Sequence, residues 1–227
     1  MVSAIFGGVR KLSWFYYVAR VLVVALFALL TRLEVKGKEN IPSQGPVLVV
    51  ANHLSLADPP LLGISLGRIA IFMAKEELFR SRFAAYFIGS FGSFAVHRGK
   101  VDRKAMHRAE QVLAAGLALV MFPEATRSQS AQLQPALPGS ALIAIRSGVP
   151  ILPVGIAGTE NIKGLSGILR RPRITVNLGR PFYLPSADSK LTKAELAEHT
   201  DFIMGRIAEL LPPQYRGVYG ETKGDED

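Results

Sequence analysis

Apolar residues fall along this chain in two textures. Short runs rich in β-branched residues are separated by longer stretches in which apolar positions recur every three or four residues. The short runs predict strands at 33–36, 47–51, 69–74, 93–97, 118–122, 151–156 and 173–178. The longer pattern predicts helices at 59–66, 77–88, 102–115, 140–147 and 193–211, with Gly116 and Pro212-Pro213 as stop signals. Strands alternating with helices imply an α/β domain whose central sheet is mixed, mostly parallel, and flanked by helices. One such domain is expected over 33–215, followed by a polar tail at 216–227. No internal repeat is visible.

A further apolar stretch precedes the domain. From Leu12 to Leu30 the polar residues are Ser13 and Arg20, apart from the tyrosines Tyr16 and Tyr17 that open it beside Trp14. Arg10 and Lys11 stand before it, and Arg32, Lys36 and Lys38 follow. A spanning helix needs about 20 apolar residues, and an arginine near its middle costs roughly 2.5–3.5 kcal/mol. Arg20 can reach the interface by snorkelling, and the aromatic cluster suits a membrane boundary. Segment 1–32 is therefore expected to carry a membrane-associated helix over 10–32, embedded in part or lying in the interface. A buried amphipathic core helix and a cleaved signal peptide are the alternatives.

Composition sharpens this picture. The 227 residues suffice for one sizeable core. The apolar fraction of 49% and mean hydropathy of +0.25 are high for a soluble protein of this size. A formal charge of +9 points to an anionic partner. The cations are not gathered on one basic helix and no nucleic-acid-binding fingerprint is present, so an anionic membrane surface is favoured over nucleic acid. The absence of cysteine excludes a disulfide framework, a thiolate metal site and a cysteine acyl-enzyme.

With four histidines in the chain, candidate bases near neutral pH are few. His53 and Asp58 lie in Asn52-His53-Leu54-Ser55-Leu56-Ala57-Asp58-Pro59-Pro60, just past the run 47–51. Within one helix, five steps would set them roughly 140° apart. The prolines offer another geometry. A helix starting at Pro59 with Asp58 as its N-cap leaves His53 in a loop, free to fold back onto the carboxylate. That pairing would fix the imidazole tautomer and raise its basicity. Ser55 completes a Ser-His-Asp set but lacks the Gly-x-Ser-x-Gly elbow, so a serine hydrolase is the lesser alternative. Two ligands without a third do not close a metal site. Two further loops follow strands: His97-Arg98-Gly99, and Phe122-Pro123-Glu124-Ala125-Thr126-Arg127-Ser128. If the strands are neighbours, a histidine, two carboxylates and several cations converge, which suits proton transfer on a phosphate-bearing substrate. An ion pair of Glu124 with Arg98 or Arg127 is the structural alternative.

Together these motifs resemble the 1-acylglycerol-3-phosphate acyltransferase (lysophosphatidic acid acyltransferase) family of glycerolipid acyltransferases. The N-H-x-x-x-x-D motif matches at Asn52, His53 and Asp58. A second matches from Lys75-Glu76-Glu77-Leu78 through Gly89, Gly92 and His97-Arg98. The third, F-P-E-G-T-R-S, matches six of seven positions from Phe122 to Ser128. The fourth matches Val149-Pro150-Ile151-Leu152-Pro153-Val154. Ala125 departs from the usual glycine of the third motif, and Pro138-Gly139 stands where many members carry Lys-Gly.

The resemblance covers about residues 33–185 and implies the glycerolipid acyltransferase fold. It implies acyl transfer from acyl-CoA or acyl carrier protein to the free hydroxyl of 1-acyl-glycerol-3-phosphate, giving phosphatidic acid. His53 would be the base and Asp58 its orienting partner. Asn52, Lys75, Arg98, Glu124, Thr126 and Arg127 would serve the substrates, Glu124 by positioning Arg127 or a glycerol hydroxyl. Backbone N–H groups near the Pro59 helix start or the third motif are candidates for an oxyanion hole. Neither metal nor bound cofactor is implied, and the expected location is the cytoplasmic face of a membrane. Another lysolipid or glycerol-3-phosphate as acceptor, a lipid hydrolase, and a non-catalytic membrane-binding protein are the alternatives.

Overall fold

Seven strands form a single sheet among the residues that the computed structural model describes, namely 14–80, 93–97, 102–162, 167, 169–185 and 191–220. In chain order they are β1 (Arg32–Lys36), β2 (Val47–Ala51), β3 (Ala70–Lys75), β4 (Phe94–Val96), β5 (Ala118–Met121), β6 (Ile151–Ala157) and β7 (Arg173–Leu178). Their order across the sheet is β1-β7-β6-β2-β5-β3-β4. Every neighbouring pair is parallel except β6 and β7. The expected mixed, mostly parallel sheet is thus present, and β2 to β6 all end at one edge.

Among the described residues, five α-helices accompany it: α1 (Trp14–Leu30), α2 (Asp58–Ser65), α3 (Arg103–Ala114), α4 (Gly139–Ser147) and α5 (Lys193–Ala208). They divide between the two faces. Leu48 and Val50 of β2 join the layer formed with α3, α4 and α5, whereas Val47, Val49 and Ala51 join the layer that holds Leu61 and Leu62 of α2 and Phe27 of α1. Successive side chains of a strand point to opposite faces, so a strand covered on both sides must be apolar throughout. Every residue of β2 and β6 is buried.

The helix expected over 77–88 lies mostly outside the described residues, and its start is a 3-10 turn, Glu76–Phe79. Helix α5 ends at Ala208, before Pro212. Among the described residues, no helix is long and apolar enough to cross a membrane. Helix α1 buries Phe27, while Val18, Val21, Leu22, Val24, Leu26 and Leu29 are exposed.

Candidate active site

The site forms where β2 lies between β5 and β6. Asn52, one residue beyond β2, is buried, and its side chain binds the main chain of β6 twice. Its Nδ2 donates to the Ile156 carbonyl (2.8 Å) and its Oδ1 accepts the Ile156 N–H (2.7 Å). These bonds extend the β2–β6 pairing past the strand end. Asn52 is thus a structural tie rather than the substrate contact expected.

His53 comes next. Its imidazole is buried and stacks on Phe122, with ring centroids 4.2 Å apart. Its Nδ1 lies 2.8 Å from Oδ2 of Asp58. That carboxylate oxygen also accepts the N–H groups of Leu54 and Ser55, each at 2.7 Å, while Oδ1 accepts the Thr159 hydroxyl at 2.6 Å. Asp58 is fully buried, so these donors replace its lost water. An anionic acceptor selects the tautomer with hydrogen on Nδ1 and leaves the Nε2 lone pair to take a proton.

Asp58 does not cap its helix as the sequence suggested. It is the first residue of α2, and Ala57 is the N-cap without a side-chain bond. A capping side chain bonds the N–H of the second or third helical residue. Here those residues are Pro59 and Pro60, which have none. No side-chain cap is needed, and the Asp58 carboxylate is free to turn back onto the histidine loop. The same prolines supply no amides for an oxyanion hole at the start of α2.

The loop after β5 joins this arrangement because β5 adjoins β2. Glu124 is buried. Its Oε1 accepts the His53 N–H (2.9 Å) and its Oε2 accepts the Gln134 N–H (3.0 Å). The Ser128 N–H donates to the His53 carbonyl (2.8 Å). Burial pushes the Glu124 carboxyl up to about 7, against the two N–H donors and with a further upward push from the Asp58 charge. Glu124 thus holds main chain. It makes no ion pair with Arg127, because its two oxygens face the loops that carry His53 and Gln134.

Thr126 and Arg127 are exposed. Lys75 is exposed at the end of β3 and pairs with Glu77 (3.1 Å). Arg98 lies outside the described residues. His97, after β4, pairs with Glu76, and its N–H donates to Asp102 (3.0 Å). The expected convergence therefore brings together His53, Asp58 and Glu124, while Lys75 and Arg127 are exposed. Ala125, at the motif's glycine position, has φ 59°, a left-handed conformation that costs an L-residue about 1–2 kcal/mol.

Beside Phe122 opens an apolar cavity of about 370 Å³. Met73, Met106, Met121, Ala125, Leu137 and Leu142 contribute to its wall, and His97 and Asp102 lie at its lining too. Among the described residues, no cluster of three histidines or carboxylates could hold a metal. The sequence reading missed Thr159 and Gln134. Thr159 had a signal, since it follows a long apolar strand at the same sheet edge.

The sequence profile of the acyltransferase family matches residues 32–157, more than half of the chain. The chain belongs to that family. The family expected from the four motifs is the family found. A chloroplastic 1-acyl-sn-glycerol-3-phosphate acyltransferase of Brassica napus is 31% identical over 164 residues, 69% of this chain and 47% of that protein. A 1-acyl-sn-glycerol-3-phosphate acyltransferase of Streptococcus pneumoniae is 29% identical over 213 residues, covering 92% of this chain and 75% of its own length. The crystal structure of the 1-acyl-sn-glycerophosphate acyltransferase PlsC of Thermotoga maritima matches with a TM-score of 0.64 at 27% identity, over 84% of this chain and 76% of that one. The chain spans about half the length of the Brassica, Arabidopsis and Borreliella relatives it matches.

Proposed function

We propose that this acyltransferase moves a fatty acyl group from acyl-CoA or acyl carrier protein to the free hydroxyl of 1-acyl-glycerol-3-phosphate, giving phosphatidic acid. The observation that carries this reading is the buried His53–Asp58 pair (2.8 Å) beside an apolar cavity. The names of the relatives support the acceptor.

A thioester is already activated, so the protein must deprotonate the acceptor hydroxyl. Nε2 of His53 takes that proton as the oxygen attacks the thioester carbonyl, a step worth typically 10²–10⁴-fold. Asp58 holds the ring and stabilises the imidazolium. The tetrahedral adduct then collapses, the C–S bond breaks, and the thiol leaves with the proton from Nε2. The apolar cavity suits an acyl chain, and the exposed cations Arg127 and Lys75 suit the acceptor phosphate. Helix α1 would set the site at a membrane surface on the cytoplasmic side, through its exposed apolar residues.

Hydrolysis by Ser55 fits less well. Its hydroxyl accepts the Ala57 N–H (3.3 Å) within its own turn. The deciding experiment is product analysis by mass spectrometry, with lysophosphatidic acid offered beside competing lysolipids and both donor types. Phosphatidic acid should form, and His53→Ala should abolish it in a folded protein. Free fatty acid as the main product, or near-normal turnover in His53→Ala, would sink the reading.

A further inference from the structure

Two carboxylates hold the His53 loop, and a single residue near the C-terminus stands behind both. Tyr215 ends the 3-10 turn Pro213–Tyr215, well beyond the residues that the family profile matches. Its hydroxyl donates to Oε1 of Glu160 (2.7 Å). Glu160 belongs to the 3-10 turn Thr159–Asn161, whose first residue donates to Oδ1 of Asp58 (2.6 Å). The main-chain carbonyl of Tyr215 accepts the Leu133 N–H (2.8 Å). The next residue, Gln134, donates its N–H to Glu124, whose other oxygen accepts the His53 N–H.

The two limbs therefore start at one tyrosine and end on the two sides of one histidine. Through its side chain, Tyr215 fixes the turn behind Asp58. Through its main chain, it fixes the loop behind Glu124. The C-terminal segment fits this loop closely. Gly217 has φ 51°, and a Cβ there would lie 2.2 Å from the Leu133 carbonyl oxygen. Two residues on, the Tyr219 hydroxyl accepts the Ala136 N–H (3.3 Å). Burial, followed by the Glu160 carboxylate, pushes the Tyr215 phenol up to about 12, so it remains a donor across the working pH range. The second oxygen of Glu160 is buried without a partner, which makes the tyrosine bond the more valuable to it.

We propose that Tyr215 is a positioning residue of the acyl-transfer site, clasping the Asp58 and Glu124 supports so that His53 keeps one orientation; this rests on the reading of His53 as the base. Small misplacement of a catalytic group lowers the rate of the chemical step far more than it alters ground-state binding.

Tyr215→Phe in the full chain removes the hydroxyl and keeps the carbonyl. We expect kcat to fall about tenfold, while KM for donor and acceptor stays within about twofold. The downfield Nδ1-proton resonance of His53, identified by its loss in His53→Ala, should shift or broaden. Glu160→Gln keeps an acceptor and should retain kcat near wild type, whereas Glu160→Leu should behave as Tyr215→Phe. Ile203→Val, in the core of α5, serves as a variant that lowers stability without touching either limb. Wild-type kcat with an unmoved resonance in Tyr215→Phe would overturn the clasp. Should that variant not fold, equal kcat in the two Glu160 variants would overturn it instead. Turnover surviving in His53→Ala would overturn the assignment of the base, which is a different failure.

Discussion

The main-chain N–H of His53 donates to the side chain of Glu124, 71 positions later in the chain (2.9 Å). With the Gln134 N–H on its other oxygen, Glu124 becomes a bracket between the β2 and β5 loops. A buried carboxylate satisfied by main-chain donors fixes where the histidine backbone sits, while Asp58 fixes how its ring turns. Location and orientation thus come from two acids, neither of which needs to touch substrate to matter.

The position of Glu124 carries a stability cost that depends on pH. Its folded pKa of about 7 lies above the ordinary value of 4.5, so the folded protein binds the extra proton. The resulting stabilisation is fully present below about 4.5 and is lost as pH rises through about 7. Glu124→Gln removes the titration. The melting temperature of wild type minus that of Glu124→Gln should therefore decrease between pH 5 and pH 8. A pH-independent difference would show that Glu124 is not held in this way. The variant should also lose activity, because an amide can accept only one of the two N–H bonds.

Ala125 predicts an effect of the opposite sign. Its φ of 59° suits glycine, and only Ala131, at 60°, shares this conformation among the described non-glycine residues of the loop. Ala125→Gly should relieve the left-handed strain while adding some freedom to the unfolded chain, for a net gain of about 0.5–1 kcal/mol. For a chain of this length that is a rise of about 2–4 °C in Tm per kcal/mol. A lower Tm in thermal unfolding would contradict the strain. Ala125 also lines the apolar cavity, so the acyl-chain preference of the variant should be measured alongside.

Arg127 is exposed and has no ion-pair partner among the described residues. An exposed, uncommitted guanidinium is suited to a phosphate oxygen pair. Arg127→Ala should raise KM for lysophosphatidic acid with kcat little changed, the pattern of lost uniform binding. The effect should be absent with an uncharged monoacylglycerol as acceptor. An equal loss with both acceptors would remove phosphate recognition from this residue.

Much of the fold was legible because the sheet is covered on both faces. Strands β2 and β6 had to be continuously apolar, and that run is visible in sequence. The His53–Asp58 pair was legible for a local reason, since the prolines at 59 and 60 force a loop and a helix start between them. What supports the pair was not. Thr159 reaches Asp58 across 101 positions and Tyr215 reaches Glu160 across 55, so neither spacing carries a local signal. Gln134 acts through its main-chain N–H, which any residue except proline would supply, so its identity says nothing. The sequence also offered Glu124 as a partner for arginine. Charge alone favours that pairing, and only the adjacency of β2 and β5 redirects the carboxylate to main chain.

Helix α1 carries the last prediction. Val18, Val21, Leu22, Leu26 and Leu29 follow helical spacing and stay exposed, Leu22 at 64% and Leu29 at 70%, while Phe27 turns inward and anchors the helix to the sheet. Burying a leucine side chain is worth about 1.5–3 kcal/mol, so this stripe has more to gain from lipid than from water. Arg32, just past the helix, adds attraction to anionic headgroups of about 1 kcal/mol for each such charge near the surface. Leu22→Gln with Leu29→Gln should weaken sedimentation with vesicles of mixed neutral and anionic lipid at least tenfold, since two leucines at the low end of that range already exceed the 1.4 kcal/mol that corresponds to one decade. Turnover of a short-chain, water-soluble acceptor should be unchanged, because both side chains are exposed and neither bonds to His53 or Asp58. Turnover of vesicle-bound lysophosphatidic acid should fall with binding. Unaltered vesicle binding in the double variant would remove α1 as the membrane contact, and a parallel loss on the soluble acceptor would show that the helix supports the catalytic domain itself.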